Sequence, residues 1–367
     1  MPRAASAGLA ALAIAMGVGR FAFTPLLPLM QDDAGLSLAA GGYLAAANYL
    51  GYLVGALWAA RPTRSSRAIH ASLLAIALTT AAMGVTHTLA WWLLLRFAAG
   101  VASAWALVHV SAWALPRLAG GGLLYSGVGT GIALAGLACL ALMALGVTSS
   151  HAWLTFGALS LLVAACLWPV IHDGAAPRVQ ERSALRWTPD MARLVLCYGA
   201  FGFGYIIPAT YVPAMAKALV PDPLEFGWAW PIFGATAAVS TVIAARLVGR
   251  HGNRRVWGVA ALVMALGVAA PLLLAGALGI VLAALLVGGT FMVITMAGLQ
   301  AARAAGGAPL MAAMTAAFAA GQIAGPLVVS ALARRPHGFS LALGVAAALL
   351  ILSALALVSR ENKPCPT

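Results

Sequence analysis

The chain has 367 residues, of which 63% are hydrophobic and only 8% charged, with a formal net charge of +13. A soluble domain carries roughly 25% charged residues, so this composition excludes a water-soluble globule and makes the lipid bilayer the solvent. The positive charge does not imply a nucleic-acid partner, because the Lys and Arg residues sit in short loops between apolar spans, where the positive-inside bias accounts for them.

Apolar runs of about twenty residues recur from Ala4 to Val358, each long enough to cross roughly 30 Å of hydrocarbon as a helix. Membrane strands would alternate apolar and polar residues over ~10 positions, whereas a stretch such as Leu343 to Leu357 is apolar on every face. The expected fold class is therefore an all-α polytopic membrane protein of about twelve transmembrane helices. In chain order these are expected near 5–31, 38–60, 67–87, 89–114, 122–147, 150–171, 189–217, 225–248, 255–275, 278–302, 307–333 and 338–358. The start, Met1 to Ala7, runs into a span longer than the ~15 apolar residues of a signal core, which predicts an uncleaved first helix.

One polar stretch, His172 to Pro189, carries Arg178, Glu181, Arg182 and Arg186 and divides the spans into two sets of six. It predicts an N-terminal bundle over 1–171, a cytoplasmic linker over 172–188, and a C-terminal bundle over 189–367 that ends in a short tail. With both termini cytoplasmic, loop cations gather on the inner side, and only Lys217, Arg334 and Arg335 fall outside. The expected location is the bacterial inner membrane. Cys139, Cys166, Cys197 and Cys365 are scattered without a CxxC spacing, so neither a disulfide nor a metal is expected; no cofactor is implied, and a monomer is expected.

The two sets of spans resemble one another at one constant spacing of 185 residues. Gly17, Gly19, Pro28 and Met30 recur as Gly202, Gly204, Pro213 and Met215, while Arg61 falls on Arg246 and Gly136 on Gly321. A duplicated six-helix unit whose copies are related by an axis along the membrane normal is one of the two ways secondary transporters are built, with the substrate site between the repeats near the midplane. Two bundles rocking about such a site expose it alternately to either side.

The pattern resembles the major facilitator superfamily: six plus six helices, a cytoplasmic middle loop, and basic loops after helices 2 and 8. In Arg246 to Arg255 (RLVGRHGNRR), Arg250, Gly252, Arg254 and Arg255 match the superfamily's loop signature, while its acidic position is Gly249. The first loop, Gly55 to Arg67 (GALWAARPTRSSR), keeps Gly55, Arg61 and Arg64 but has Ala60 where an aspartate is usual. Within the superfamily, Gly17 to Met30 (GVGRFAFTPLLPLM), Gly41 to Gly55 (GGYLAAANYLGYLVG) and Tyr125 to Gly136 (YSGVGTGIALAG) look like the bacterial YbfB/YjiJ subgroup. The resemblance implies transport of a small molecule and brings no settled substrate.

A charge in hydrocarbon costs at least ~2.5–3.5 kcal/mol, so a charged residue there faces the bundle interior or a wet cavity. Arg20, about 22 Å up helix 1, and Arg96, about 10 Å below the outer end of helix 4, are placed at one level by a rise of 1.5 Å per residue. A paired guanidinium site for an anion is one reading, since arginine offers a planar fork to carboxylate or phosphate. In the other, Arg96 bonds helix carbonyls to lock the bundle and Arg20 reaches to the interface. Asn48, Tyr205 and Gln322 fall within several ångströms of that level, as a substrate contact set or as bonds across helix pairs.

Pro25 and Pro28 in helix 1, and Pro208 and Pro213 in helix 7, each remove a helix hydrogen bond and are expected to bend the outer segments into an extracellular gate or a fixed kink. Gly136 and Gly321, with Gly127, Gly129 and Gly131, are expected to allow close packing and sliding of helices 5 and 11. Arg250 and Arg254 complete the expected conformational set. No HExxH, paired carboxylates or triad-like set points to an enzyme. All eight carboxylates lie in loops or at helix ends, which favours facilitated diffusion or anion exchange. The reading is a secondary active or facilitative carrier of an organic anion; the alternatives are a proton-coupled exporter of drug-like or neutral compounds, and a sensor on a transporter fold.

Overall fold

The computed structural model describes residues 2–59, 65–118, 122–172, 187–219, 222 and 227–358. Ala60, Arg61 and Arg64 of the first basic loop, residues 173–186 of the expected linker, and the tail with Arg360 and Lys363 lie outside the described residues. Among the described residues twelve long helices follow in order: α1 (2–33), α2 (Leu38–Trp58), α3 (Ser65–Val85), α4 (Leu89–Ala114), α5 (Gly122–Ala144), α6 (Ser149–Leu167), α7 (Pro189–Leu219), α8 (Ala229–His251), α9 (Asn253–Leu273), α10 (Ala277–Gly307), α11 (Pro309–Leu332) and α12 (Gly338–Val358). Ten of these are long and apolar enough to cross a membrane. The others are α2, diluted by Asn48 and its tyrosines, and α8, whose apolar stretch is Ala229–Ala244.

Local chemistry sets several boundaries. The Ser37 side chain accepts from the Ala40 amide at 3.1 Å and caps α2, and Thr148 caps α6 by accepting from the His151 amide at 3.5 Å. A single apolar run becomes α10 and α11 because Gly307 adopts a φ of +63°, open to glycine without strain, two residues before Pro309 restarts the helix.

The largest departure from expectation is α1, read as continuous over 5–31. It consists of an α segment Pro2–Leu12, a π-helical segment Ala13–Val18, a turn over 19–22, and a second α segment Phe23–Asp33. The Gly19 amide bonds Ile14 and the Phe21 amide bonds Met16, both at 3.0 Å and both reaching back five residues instead of four. Pro25 is one cause: it has no N–H for the Phe21 carbonyl, which accepts from the Thr24 amide at 3.1 Å instead. The irregularity thus lies before Pro25, because a proline disturbs the turn that precedes it. Pro28, Pro208 and Pro213 lie inside helices that continue through them.

Within the first half, α2 packs on α4, α3 on α4 and α6, and α1 on α5; within the second, α7 packs on α11 and α12, and α9 on α10 and α12. The halves meet where α5 lies against α8, α2 against α11, and the second segment of α1 against α7. Gly136 belongs to the first of these contacts, facing Pro231, whereas Gly321 packs on Gly199 of α7 inside its own half. Large apolar side chains such as Leu145, Leu196 and Leu266 point outward, as a lipid-facing surface requires.

A side chain on Gly17 would put its Cβ 2.4 Å from the Gly131 carbonyl carbon, and backbone cannot give way as a flexible side chain can. Gly17→Val should therefore lower the unfolding temperature of the detergent-purified protein by an amount corresponding to about 1–3 kcal/mol or more. Gly344→Ala, at a helical position with nothing within 4 Å, should leave it unchanged or raised, and equal behaviour of the two would refute the close-packing account.

Candidate functional site

The break in α1 leaves backbone carbonyls without helical partners inside the bundle, where other protein groups must satisfy them. The Asn48 side-chain amide from α2 donates to the Gly19 carbonyl at 3.2 Å and to the Arg96 carbonyl at 2.9 Å. The guanidinium of Arg96 from α4 donates to Gly19 at 3.3 Å and to the Arg20 carbonyl at 2.8 Å. Arg96 thus directs two of its nitrogens to the broken backbone, and Asn48 ties that backbone to α4. The carbon of the Arg96 fork also lies 5.2 Å from the centre of the Phe23 ring.

Arg20 itself, 3% exposed, points from the turn toward the second half. Its Nη2 lies 3.4 Å from the Tyr205 hydroxyl of α7, which in turn accepts from the Gln322 amide of α11. The guanidinium carbon sits 4.3 Å from the Tyr52 ring centre, 5.2 Å from Tyr49 and 5.1 Å from Phe21, so three ring faces replace part of its lost hydration. Among the described residues its Nε has no hydrogen-bond partner, and neither do Arg96 Nε, Asn48 Oδ1 and Gln322 Oε1. Tyr205 stacks between Phe291 of α10 and Phe318 of α11, with ring centres 5.7 and 5.6 Å away.

The described carboxylates whose partners are known are engaged far from this level. Asp32 pairs with Lys217; Asp33 accepts from the Ser149 amide and hydroxyl; Asp190 accepts from Arg193 and Arg254. Asp190 thus gives Arg254 the acidic partner that Gly249 does not supply. Arg250 makes no polar contact among the described residues. His109 is buried on α4 beside Trp105, with ring centres 5.8 Å apart.

Three cross-half contacts join residues separated by 185 positions: Arg20 to Tyr205, Thr24 to the Ala209 carbonyl at 3.0 Å, and Asp32 to Lys217. This is the repeat spacing read from the sequence. Helices at a two-fold axis present each residue to its own equivalent, so α1 and α7 flank the pseudo-symmetry axis from Arg20 to the end farther from the chain termini. The Ala209 carbonyl is free to accept because Pro213, four residues on, has no N–H. Lys217 also donates to the Pro28 carbonyl at 3.0 Å, Tyr49 and Thr210 hydroxyls lie 3.1 Å apart, and Ser330 of α11 donates to Ala39 of α2 at 3.0 Å.

Of the five expected contact residues, the structure brings Arg20, Tyr205 and Gln322 together between the halves and sets Arg96 and Asn48 behind them as supports. Sequence reasoning missed Tyr49, Tyr52 and Thr24. Tyr52 stands four residues after Asn48 and so shares a helix face with it, and Tyr49 stands three before Tyr52, a spacing visible in the sequence.

The sequence matches over residues 12–358 the family described as "Uncharacterised MFS-type transporter YbfB". A comparison with curated proteins found no match. Among solved structures, a point mutant of the nucleoside transporter NupG is similar with a TM-score of 0.74 at 14% identity, covering 97% of this chain and 99% of that one. A bacterial homologue of the human lysosomal transporter Spinster, in an inward-facing and occupied conformation, is similar with a TM-score of 0.70 at 16% identity, covering 96% and 93%. At such identities the likeness is one of fold.

The division between the supporting side chains and the guanidinium that faces the second half predicts opposite stabilities. Arg96→Ala removes the guanidinium's bonds to the Gly19 and Arg20 carbonyls; Asn48 still serves Gly19, so the Arg20 carbonyl is left unpaired, at a cost of about 1–3 kcal/mol read as a lowered unfolding temperature. Arg20→Met keeps an apolar stem and removes a buried charge, so the unfolding temperature should hold or rise. The reverse order would show that Arg20 is the structural residue.

Proposed function

The chain belongs to the YbfB-type family of major facilitator transporters, and from that membership we propose that it carries a small organic anion across the bilayer, with Arg20 as the partner of the negative charge. The observation that carries this reading is a buried arginine between the two halves, facing aromatic rings and a phenol hydroxyl, with no carboxylate in the described contacts around it. A buried ion without a counter-ion is costly, and an anionic substrate supplies the missing charge. Guanidinium suits a carboxylate or phosphate, and Tyr205 and Gln322 offer polar groups from the other half.

Binding between halves is what alternating access requires, since the substrate then touches both moving bodies. We take those bodies to be residues 1–171 and 189–367, in an inner membrane with both termini cytoplasmic, as the distribution of Lys and Arg favours. In that orientation the seam of Thr24 with Ala209, Tyr49 with Thr210 and Asp32 with Lys217 closes the extracellular side. Lys217 is then an outer cation held by an acid and a carbonyl. Alternation opens this seam and closes the opposite end.

A thermal-shift panel of carboxylates, phosphates, neutral solutes and organic cations tests the substrate class, because a ligand selective for the folded state raises its unfolding temperature. One class of anion should stabilise the wild type, and Arg20→Met should weaken that ligand at least about tenfold, or about 1.4 kcal/mol. Stabilisation only by neutral or cationic compounds, undiminished in Arg20→Met, would replace the anion reading with the exporter alternative. For the seam, Asp32→Cys with Lys217→Cys in a cysteine-free background should stop proteoliposome transport on oxidation and recover it on reduction. Undiminished transport by the crosslinked protein would mean that α1 and α7 do not separate there.

A further inference from the structure

A second site lies outside the seam. Between α8, α9 and α10, toward the end of the bundle that carries the chain termini, runs a groove of about 490 Å³. Its α8 wall is the stripe Ser240, Ile243, Leu247 and His251. At 3.6 residues per turn this stripe lies on the side of α8 away from α5, which meets Ala237, Ala238, Thr241 and Val242. The groove therefore opens to lipid and not to the interface between the halves. Ile243 and Val259, 43% and 53% exposed, line it with apolar side chains.

From Ser240 to His251 the wall rises about 16 Å, close to one leaflet of a hydrocarbon core roughly 30 Å thick. Arg255 and His251 stand together at its polar mouth. Arg254, the next residue, is held by Asp190, whereas Arg255 is exposed and bonds no acid among the described residues. An apolar slot of one-leaflet depth, with an exposed cation at the headgroup level that bonds no acid among the described residues, has the chemistry of an anionic lipid site.

We propose that this groove binds an anionic phospholipid, with an acyl chain along α8 and α10 and the phosphate at Arg255 and His251. Basic pockets between transmembrane helices recognise headgroups in this way, through charge at the rim and apolar contact below it. The inner wall is Gly289, Thr290 and Val293 of α10, the helix whose Phe291 stacks on Tyr205, so an occupied groove presses on the element that supports the central site. The site stands whatever the transported substrate proves to be.

Phosphatidylglycerol, phosphatidylcholine and water-soluble glycerol phosphate titrated into the detergent-purified protein discriminate the sources, read by native mass spectrometry and by unfolding temperature. Phosphatidylglycerol should remain bound in the gas phase and stabilise the wild type more than phosphatidylcholine does, while glycerol phosphate alone should do neither. Arg255→Ala should weaken phosphatidylglycerol about tenfold and Arg255→Lys should retain it. Val259→Trp, at an exposed position that leaves the core untouched, should block the chain and abolish the preference even if Arg255→Ala fails to fold. Equal response to both lipids, a preference that survives both Arg255→Ala and Val259→Trp, or binding of glycerol phosphate by itself would each overturn the proposal.

Discussion

Everything at the centre of this protein depends on satisfying the carbonyls of a helix that breaks inside a membrane. Irregular backbone in hydrocarbon persists only where protein groups replace the lost hydrogen bonds. Here the replacement comes from a guanidinium and an amide on two neighbouring helices, Arg96 and Asn48. Because their donors are fixed to Gly19 and Arg20, the turn is held in place, and the Arg20 side chain leaves it toward the second half. The broken segment and the aimed cation are thus one piece of construction.

The two buried arginines are solvated by different means. Arg96 is surrounded by carbonyl dipoles, which compensate a cation without making it available. Arg20 has ring faces and a phenol oxygen, weaker partners that a carboxylate or phosphate can outbid. The acids with described partners are engaged at helix ends, where Asp32 and Asp190 hold cations and Asp33 caps the start of α6. These acids therefore lie toward the ends of the helices, while the described contacts of Arg20 at the middle include no carboxylate.

Much of this architecture can be read from the chain alone, for identifiable reasons. Spans are legible because lipid forces about twenty apolar residues per crossing, and the duplication is legible because Gly17, Pro28 and Met30 recur at a fixed spacing. The common level of Arg20, Arg96 and Asn48 follows from a constant rise per residue. Which of them supports and which faces the other half does not follow, because that depends on the π-helical segment, and nothing in the run Ala13 to Val18 distinguishes it from ordinary apolar helix. Acidic partners were also illegible: Asp190 reaches Arg254 from a helix 64 positions away, although the loop signature placed that role at Gly249.

The seam between α1 and α7 carries a constraint peculiar to duplicated proteins. Where each residue faces its own counterpart, two identical copies would set arginine against arginine at the level of Arg20 and aspartate against aspartate at Asp32. Like charges at contact distance repel, so perfect internal symmetry is the one arrangement this seam cannot tolerate. The pairs it does contain, Arg20 with Tyr205, Thr24 with Ala209 and Asp32 with Lys217, are all unlike. Divergence between the copies is thus a condition of their docking, and the most symmetric place in the fold is where the two halves had to become different.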